Sequence, residues 1–172
     1  MPALTHQEME AFLDEREHIV RIGTVDVDGY PRVVPTWFVR VGDEIRFTPR
    51  GTSAFLANIR RDPRLCLSID EEPLPYRKVS VQGEARIVYD VGLDDEWRDL
   101  YRVIAKRYIA DEAADEYVDN TIDQPRVLIA VGLDTSRVTT WRMPVGDEKP
   151  TGIWARRYYL SDTVMAKLAD SK

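Results

Sequence analysis

The residues best suited to chemistry are Pro49-Arg50-Gly51-Thr52-Ser53, lying between a strand-like run that ends at Thr48 and a helix-like run that begins near Ala54. A strand that ends in Arg-Gly-Thr-Ser and opens a helix leaves backbone N–H groups unpaired, with the positive end of the helix dipole behind them. Arg50 adds a guanidinium suited to phosphate. The pattern fits a phosphate-bearing ligand, and it fits a solvated turn followed by a helix cap equally well. Just upstream stand Val34, Pro35, Thr36 and Trp37. A proline within a strand removes a ladder donor, so this run belongs at a sheet edge or where a flat ligand lies on the backbone. Trp37 suits the wall of such a slot, and it suits core packing.

Other chemistries find little support. The two histidines, His6 and His18, are twelve positions apart, and metal sites built on histidine and cysteine need several such ligands converging. No metal is expected. The acidic run Asp111, Glu112, Asp115, Glu116 and Asp119 lacks calcium-loop spacing and reads as a solvated helix face. No serine lies in Gly-x-Ser-x-Gly, which argues against a hydrolase triad. The pairs Asp26/Asp28 and Glu71/Glu72 fall in turns, where carboxylates are ordinary turn residues. Neither Gly-x-Gly-x-x-Gly nor a P-loop is present. No residue set announces general acid–base catalysis, so no catalytic residue is assigned. Cys66, the single cysteine, sits in Leu-Cys-Leu-Ser-Ile and reads as core packing in a buried strand.

The elements that must position the loop can be read in order. The chain has 172 residues, 44% hydrophobic and 31% charged, enough for one domain, residues 1–172, with a sizeable core. Its formal charge of −6 disfavours a general nucleic-acid binder. No apolar run is long enough for a membrane span, and the acidic N-terminus does not read as a signal peptide, so a cytoplasmic protein is expected. Thr5 and Glu8 predict a capping box for a helix over 6–15. Strands are predicted over 18–27, 32–40, 44–48, 64–70, 77–88, 126–133 and 137–142, with Gly83 as a bulge or bend in the long fifth one. Asp28-Gly29 predicts a hairpin turn. Helices are predicted over 54–61, from 94 or 95 to about 108, and over 111–120. Residues 143–152 read as a loop, 154–160 as an aromatic and basic stretch, and Asp162 as the cap of a last helix. Strands joined mostly by hairpins favour an antiparallel sheet or small barrel.

Three segments carry a family resemblance: Gly-Tyr-Pro-Arg-Val-Val-Pro-Thr-Trp-Phe (29–38), Phe-Thr-Pro-Arg-Gly (47–51) and Asn-Ile-Arg-Arg-Asp-Pro-Arg (58–64). Their order resembles the split β-barrel flavin and deazaflavin oxidoreductases, relatives of pyridoxamine 5′-phosphate oxidase. Pro75 to Val79 and Val81 to Ala85 fit the next strand of that family, and the match covers roughly residues 5–142. The resemblance implies a mainly β (α+β), six- to seven-stranded antiparallel split barrel with peripheral helices. It also implies a homodimer with cofactor sites at the subunit interface. The cofactor ring would lie along Val34 to Trp37, and its phosphate would meet Thr48, Arg50, Gly51, Thr52 and Ser53, with Asn58 and Lys78 nearby. Trp141 of the second subunit would supply a wall. The segment order is similar to the branch that uses the deazaflavin coenzyme F-420, whose phosphate and polyglutamate tail would suit Arg50, Arg60, Arg61 and Lys78. FMN is the alternative cofactor, and a non-catalytic protein for a flavin, haem or similar flat ligand is the alternative function. Many members carry a lysine three residues before the asparagine of the third segment, and here that position is Phe55. That contact is therefore weakened, or replaced by Arg50, and losing one charged partner costs about 1.5–3 kcal/mol.

Overall fold

The structure, a computed structural model, describes residues 2–148. The expected stretch at 154–160 and the helix begun at 162 lie outside the described residues. Helix α1 (His6–Asp14) opens on the capping box: Glu8 N–H donates to Thr5 Oγ1 at 3.2 Å, and Thr5 N–H donates to Glu8 Oε2 at 2.7 Å. Strands β1 (Val20–Val25) and β2 (Pro31–Thr36) form the hairpin, with Gly29 at φ +89° in its turn. Strands β3 (Phe38–Val41) and β4 (Glu44–Phe47) turn at Gly42 (φ +59°). Then follow α2 (Ala54–Arg61), β5 (Arg64–Asp70), β6 (Lys78–Glu84) and β7 (Arg86–Tyr89). A 3-10 turn (Asp94–Trp97) leads into α3 (Arg98–Lys106), α4 (Asp111–Asn120), β8 (Leu128–Gly132) and β9 (Arg137–Trp141).

All pairing is antiparallel, in two sheets ordered β2-β1-β5-β6-β9 and β3-β4-β8-β7. The mainly β, antiparallel architecture is as expected, but among the described residues there are nine strands rather than six or seven. Two of the expected strands, 32–40 and 77–88, each bend and serve both sheets. At the first bend Tyr108 Oη accepts from Phe38 N–H at 3.0 Å and donates to the His18 carbonyl at 2.6 Å. At the second, Ala85 N–H donates to the Pro63 carbonyl at 2.8 Å. Each bend thus keeps backbone groups satisfied where the ladder is interrupted. Gly83 sits in regular register opposite Leu65, not at a bulge. A Cβ there would lie 2.0 Å from Ser136 Oγ, so close approach is what requires glycine.

The main core lies between the sheets, where Phe12, Leu13, Ile22, Phe38, Ile45, Phe47, Leu67 and Ile129 are fully buried. A second cluster joins α3 and α4 to the four-stranded sheet through Trp97, Tyr101, Ala105, Ala114, Val118 and Leu128. The acidic run of α4 is the expected polar face, with Asp119 and Asp115 held by Arg102 and Lys106 at 2.6 and 2.8 Å. On the outer face of the five-stranded sheet, Val25, Val33, Pro35, Cys66, Gln82 and Thr139 stay exposed. Cys66 is therefore not core packing. Leu65 and Leu67 take the inward positions, and strand alternation turns the residue between them outward. Among the described residues no helix is long and apolar enough to cross a membrane.

Candidate functional site

The loop after β4 is stitched to the chain before β8. Gly51 N–H donates to the Pro125 carbonyl at 2.9 Å, and Val127 N–H donates to the Pro49 carbonyl at 3.0 Å. A Cβ at Gly51 would lie 2.9 Å from a Val91 methyl, so the loop can pack this closely only with glycine. Ser53 donates to the Arg50 carbonyl through both N–H (3.0 Å) and Oγ (2.9 Å), so its hydroxyl does not cap α2. The first-turn donors of α2 are left open, as is Thr52 N–H among the described residues. Arg50 projects outward, and Thr48 is buried beneath the loop.

A second arginine, which the sequence reading passed over, stands behind Arg50. The two residues form a backbone bridge. Arg126 is only 8% exposed, yet among the described residues no carboxylate pairs with its guanidinium. It donates to the Thr48 carbonyl and to Tyr117 Oη, each at 3.2 Å, and it lies 4.7 Å from the Tyr101 ring centre. Its Nε is buried without a partner. Asp94 bonds its backbone N–H at 2.7 Å. Two cations without a counter-charge among the described residues, one of them buried, make this end of the molecule anion-seeking. The phenols respond in opposite directions. Burial pushes Tyr101 above the ordinary phenol range. Burial also works to raise Tyr117, but the Tyr101 hydroxyl, Arg126 and Arg50 outweigh it and lower that group. The apolar run that follows Arg126 is the only sequence signal that it might be buried.

The expected ring slot lies on β2, at one edge of the five-stranded sheet, where its outer ladder is free. Pro35 is exposed there, Thr36 is half-buried, and Val34 packs on the main core. Trp37 sits at the bend, stacked on Tyr108 (5.1 Å between ring centres, 6° between planes) and edge-on to Tyr117 at 5.5 Å. It therefore belongs to the second core cluster while remaining half exposed beside the slot. Tyr117 touches both Trp37 and Arg126, joining slot to anion loop. Asn58 is buried, and its amide donates to Thr24 Oγ1 and Asp26 Oδ1 at 3.1 and 2.6 Å, which ties α2 to β1. Lys78 and Trp141 are cross-strand neighbours on β6 and β9, at the other end of the sheet from β2. Three strand spacings for Lys78 and four for Trp141, roughly 14 and 19 Å, separate them from β2, so one chain does not bring these two to the slot. Arg60 is paired with Asp90 at 2.9 Å, and Arg61 with Asn58 Oδ1 at 3.2 Å. Phe55 points into the main core, so the position where many relatives carry lysine does not face the anion loop here.

Comparison with known proteins agrees with this geometry. The family model for pyridoxamine 5′-phosphate oxidase matches residues 5–141. The chain belongs to the pyridoxamine 5′-phosphate oxidase family. No curated protein matches it. Among solved structures, an F420 reductase is 27% identical, with a TM-score of 0.53 over 72% of this chain and 90% of that one. A conserved hypothetical protein from Mycobacterium tuberculosis is 21% identical, with a TM-score of 0.65 over 86% and 94%. A haem storage protein from Vibrio cholerae is 18% identical, with a TM-score of 0.58 over 78% and 94%. The last two likenesses concern the fold.

In this pyridoxamine 5′-phosphate oxidase-family chain the donor set fits a phosphate-bearing cofactor. Among the described residues the buried Arg126 Nε lacks a partner, the α2 N-terminus lacks a side-chain cap, and the exposed Arg50, which also acts on Tyr117, has no carboxylate partner. One three-ligand cluster of metal-binding type also occurs: Glu15, His18 and Glu71 bring donor atoms within 4.8 Å of one another. Arg77 already occupies it, bonded to both carboxylates at 2.7 and 2.6 Å.

Proposed function

We propose that the protein is a deazaflavin-dependent oxidoreductase that transfers a hydride between an F-420-type coenzyme and an unsaturated organic substrate. The observation that carries this reading is the pair of arginines without counter-charge, Arg50 and Arg126, at an uncapped helix N-terminus beside the free edge of β2. The likeness to an F420 reductase supports the choice of deazaflavin. Arg50 and the open N–H groups of Thr52 and the first turn of α2 would hold the phosphate. The edge of β2 and Trp37 would border the ring. When bound, the coenzyme supplies the hydride chemistry, and the chain supplies binding, orientation and exclusion of water.

The same reading makes the protein a homodimer. Trp141 on the far edge strand β9 and Lys78 on β6 beside it lie away from the slot, so a second copy would have to add them to it. The outer sheet face offers an apolar surface for that contact, with Val33 65% exposed and Val25 52%. Sedimentation of the purified chain should give a dimer, and a monomer at working concentration would remove Lys78 and Trp141 from the site.

Equilibrium titration with oxidised and reduced deazaflavin, and with FMN in parallel, tests the cofactor. Binding of deazaflavin at micromolar concentration is the expected result, and its absence sinks the proposal. Tighter binding of FMN would move the reading to an FMN oxidoreductase. Arg50→Ala should weaken deazaflavin at least tenfold, the loss of one charged hydrogen bond, while leaving Tm nearly unchanged. Unchanged affinity would return the loop to a solvated turn.

A further inference from the structure

We infer that Tyr117 is the proton-donating residue of this site, with Arg126 and Arg50 positioned to hold the phenolate it leaves. The inference rests on the proposed reaction for its chemistry and on the structure for its geometry. Tyr117 lies on α4 and is half-buried, with one side of its ring against the edge of Trp37 at 5.5 Å. Its other neighbour is Tyr101 on α3, at 6.2 Å between ring centres. Arg126 Nη2 donates to Tyr117 Oη at 3.2 Å. The hydroxyl thus sits where the expected ring slot meets the anion loop.

Burial opposes ionisation of Tyr117, and the polar groups that face it outweigh that burial. From α3 comes Tyr101, whose own ionisation burial opposes. From the segment before β8 comes Arg126, and from the loop after β4 comes Arg50; both favour the phenolate. The β2–β3 bend offers Trp37, and the end of α3 offers Tyr108, which is already bonded to Phe38 and His18. Of the α4 carboxylates near it in sequence, Asp115 and Asp119 are bonded to Lys106 and Arg102, and the adjacent Glu116 is exposed on the outer side of the helix. Asp94 is engaged by the Arg126 backbone. A phenol in these surroundings gives up its proton more readily than an ordinary tyrosine, and among the described residues no carboxylate is bonded to its hydroxyl.

Reducing an activated double bond consumes one hydride and one proton. With the hydride coming from a bound reduced coenzyme, the substrate would be left an anion. Tyr117 Oη then gives its proton to that anion, forming the new C–H or O–H bond as the phenol O–H bond breaks. The phenolate stays beside Arg126 and Arg50 until water returns a proton.

The test begins with the full chain free of cofactor. Ultraviolet titration of tyrosinate should show one of the eight tyrosines ionising below the others. Tyr117→Phe should remove that step, and Arg50→Ala should move it upward with no loss of folding. A Tyr117→Phe profile identical in its low-pH part to wild type overturns the assignment. The second measurement uses reduced deazaflavin with 2-cyclohexen-1-one as the probe. Tyr117→Phe should lower kcat about a hundredfold with KM and coenzyme affinity little changed, the size typical of a lost general acid. An unchanged kcat, or no turnover of the probe by wild type, overturns proton donation. Failure of wild type to bind deazaflavin would overturn the functional reading instead, and the tyrosinate titration would still judge Tyr117.

Discussion

Among the described residues three arginines lie over aromatic rings, and the two nearest to theirs, Arg77 and Arg126, differ in whether a carboxylate answers the charge. Arg77 sits 4.8 Å from the Phe12 ring centre, and Arg126 sits 4.7 Å from that of Tyr101. Arg77 bonds Glu15 on one side and Glu71 on the other, joining the end of α1 to the loop before β6. It fills the space among Glu15, His18 and Glu71 that a metal ion would otherwise find attractive. Arg126 has a carbonyl and a phenol instead of carboxylates. The packing is alike and the charge balance is opposite. A guanidinium neutralised within the chain holds elements together, whereas one left unneutralised is available to hold a ligand.

The largest effect should follow from breaking the neutralised site. Arg77→Met leaves Glu71, whose side chain is 7% exposed, without its cation. Urea unfolding should show a loss of about 2–3 kcal/mol, toward the lower end for a partly buried pair that loses one member. Deazaflavin affinity should not change. A stability loss below about 1 kcal/mol would mean that Arg77 is a surface pair of the ordinary kind. The pH dependence carries the same signature. The Arg77 hydrogen bonds hold both Glu71 and Glu15 below the usual carboxylate range. Their contribution is therefore complete above about pH 4.3, the ordinary glutamate value, and is lost as pH falls through the lowered native values. Wild type should lose stability steeply on acidification, and Arg77→Met should show a shallower profile over that window. Parallel profiles would assign acid sensitivity to other carboxylates.

How legible each region was follows from what kind of information holds it. Residues 54–61 and 111–120 are helical and 64–70 is a strand, as expected, because helical spacing, a stopping Asp-Pro and alternation are local signals. The bends at Trp37 and Ala85 are not local. Alternation continues across them, and the hydrogen bonds that permit them come from Tyr108 and Pro63, far away in sequence. Cys66 shows the same limit at one residue. Leu-Cys-Leu announces a strand but not which parity faces the core. At the site, the loop after β4 was readable because Arg-Gly-Thr-Ser before a helix has a mechanism. Arg126 was not, since an arginine ahead of an apolar strand looks like a strand boundary. Its role exists only because α3 and α4 bring Tyr101 and Tyr117 over it. Phe55 was visible as a departure from the family, and its burial in the main core explains it: the position turns away from the loop.

The smallest expected effect is the one that separates the two arginines most directly. A ligand that binds only the folded state stabilises it by RT ln(1 + [L]/Kd), about 1.4 kcal/mol at ten times Kd. Pyrophosphate is a suitable probe because it offers the anion without a ring. It should raise the stability of wild type and of Arg77→Met by the same amount, since Arg77 has no charge to spare. It should raise Arg50→Ala and Arg126→Lys much less. The lysine keeps a cation at that position but loses the fork that bridges the Thr48 carbonyl and Tyr117. Equal responses in all four proteins would place the anion elsewhere and dissolve the distinction. A response lost in Arg77→Met but kept in Arg126→Lys would reverse it, making the Glu15–Arg77–Glu71 knot the anion-responsive region.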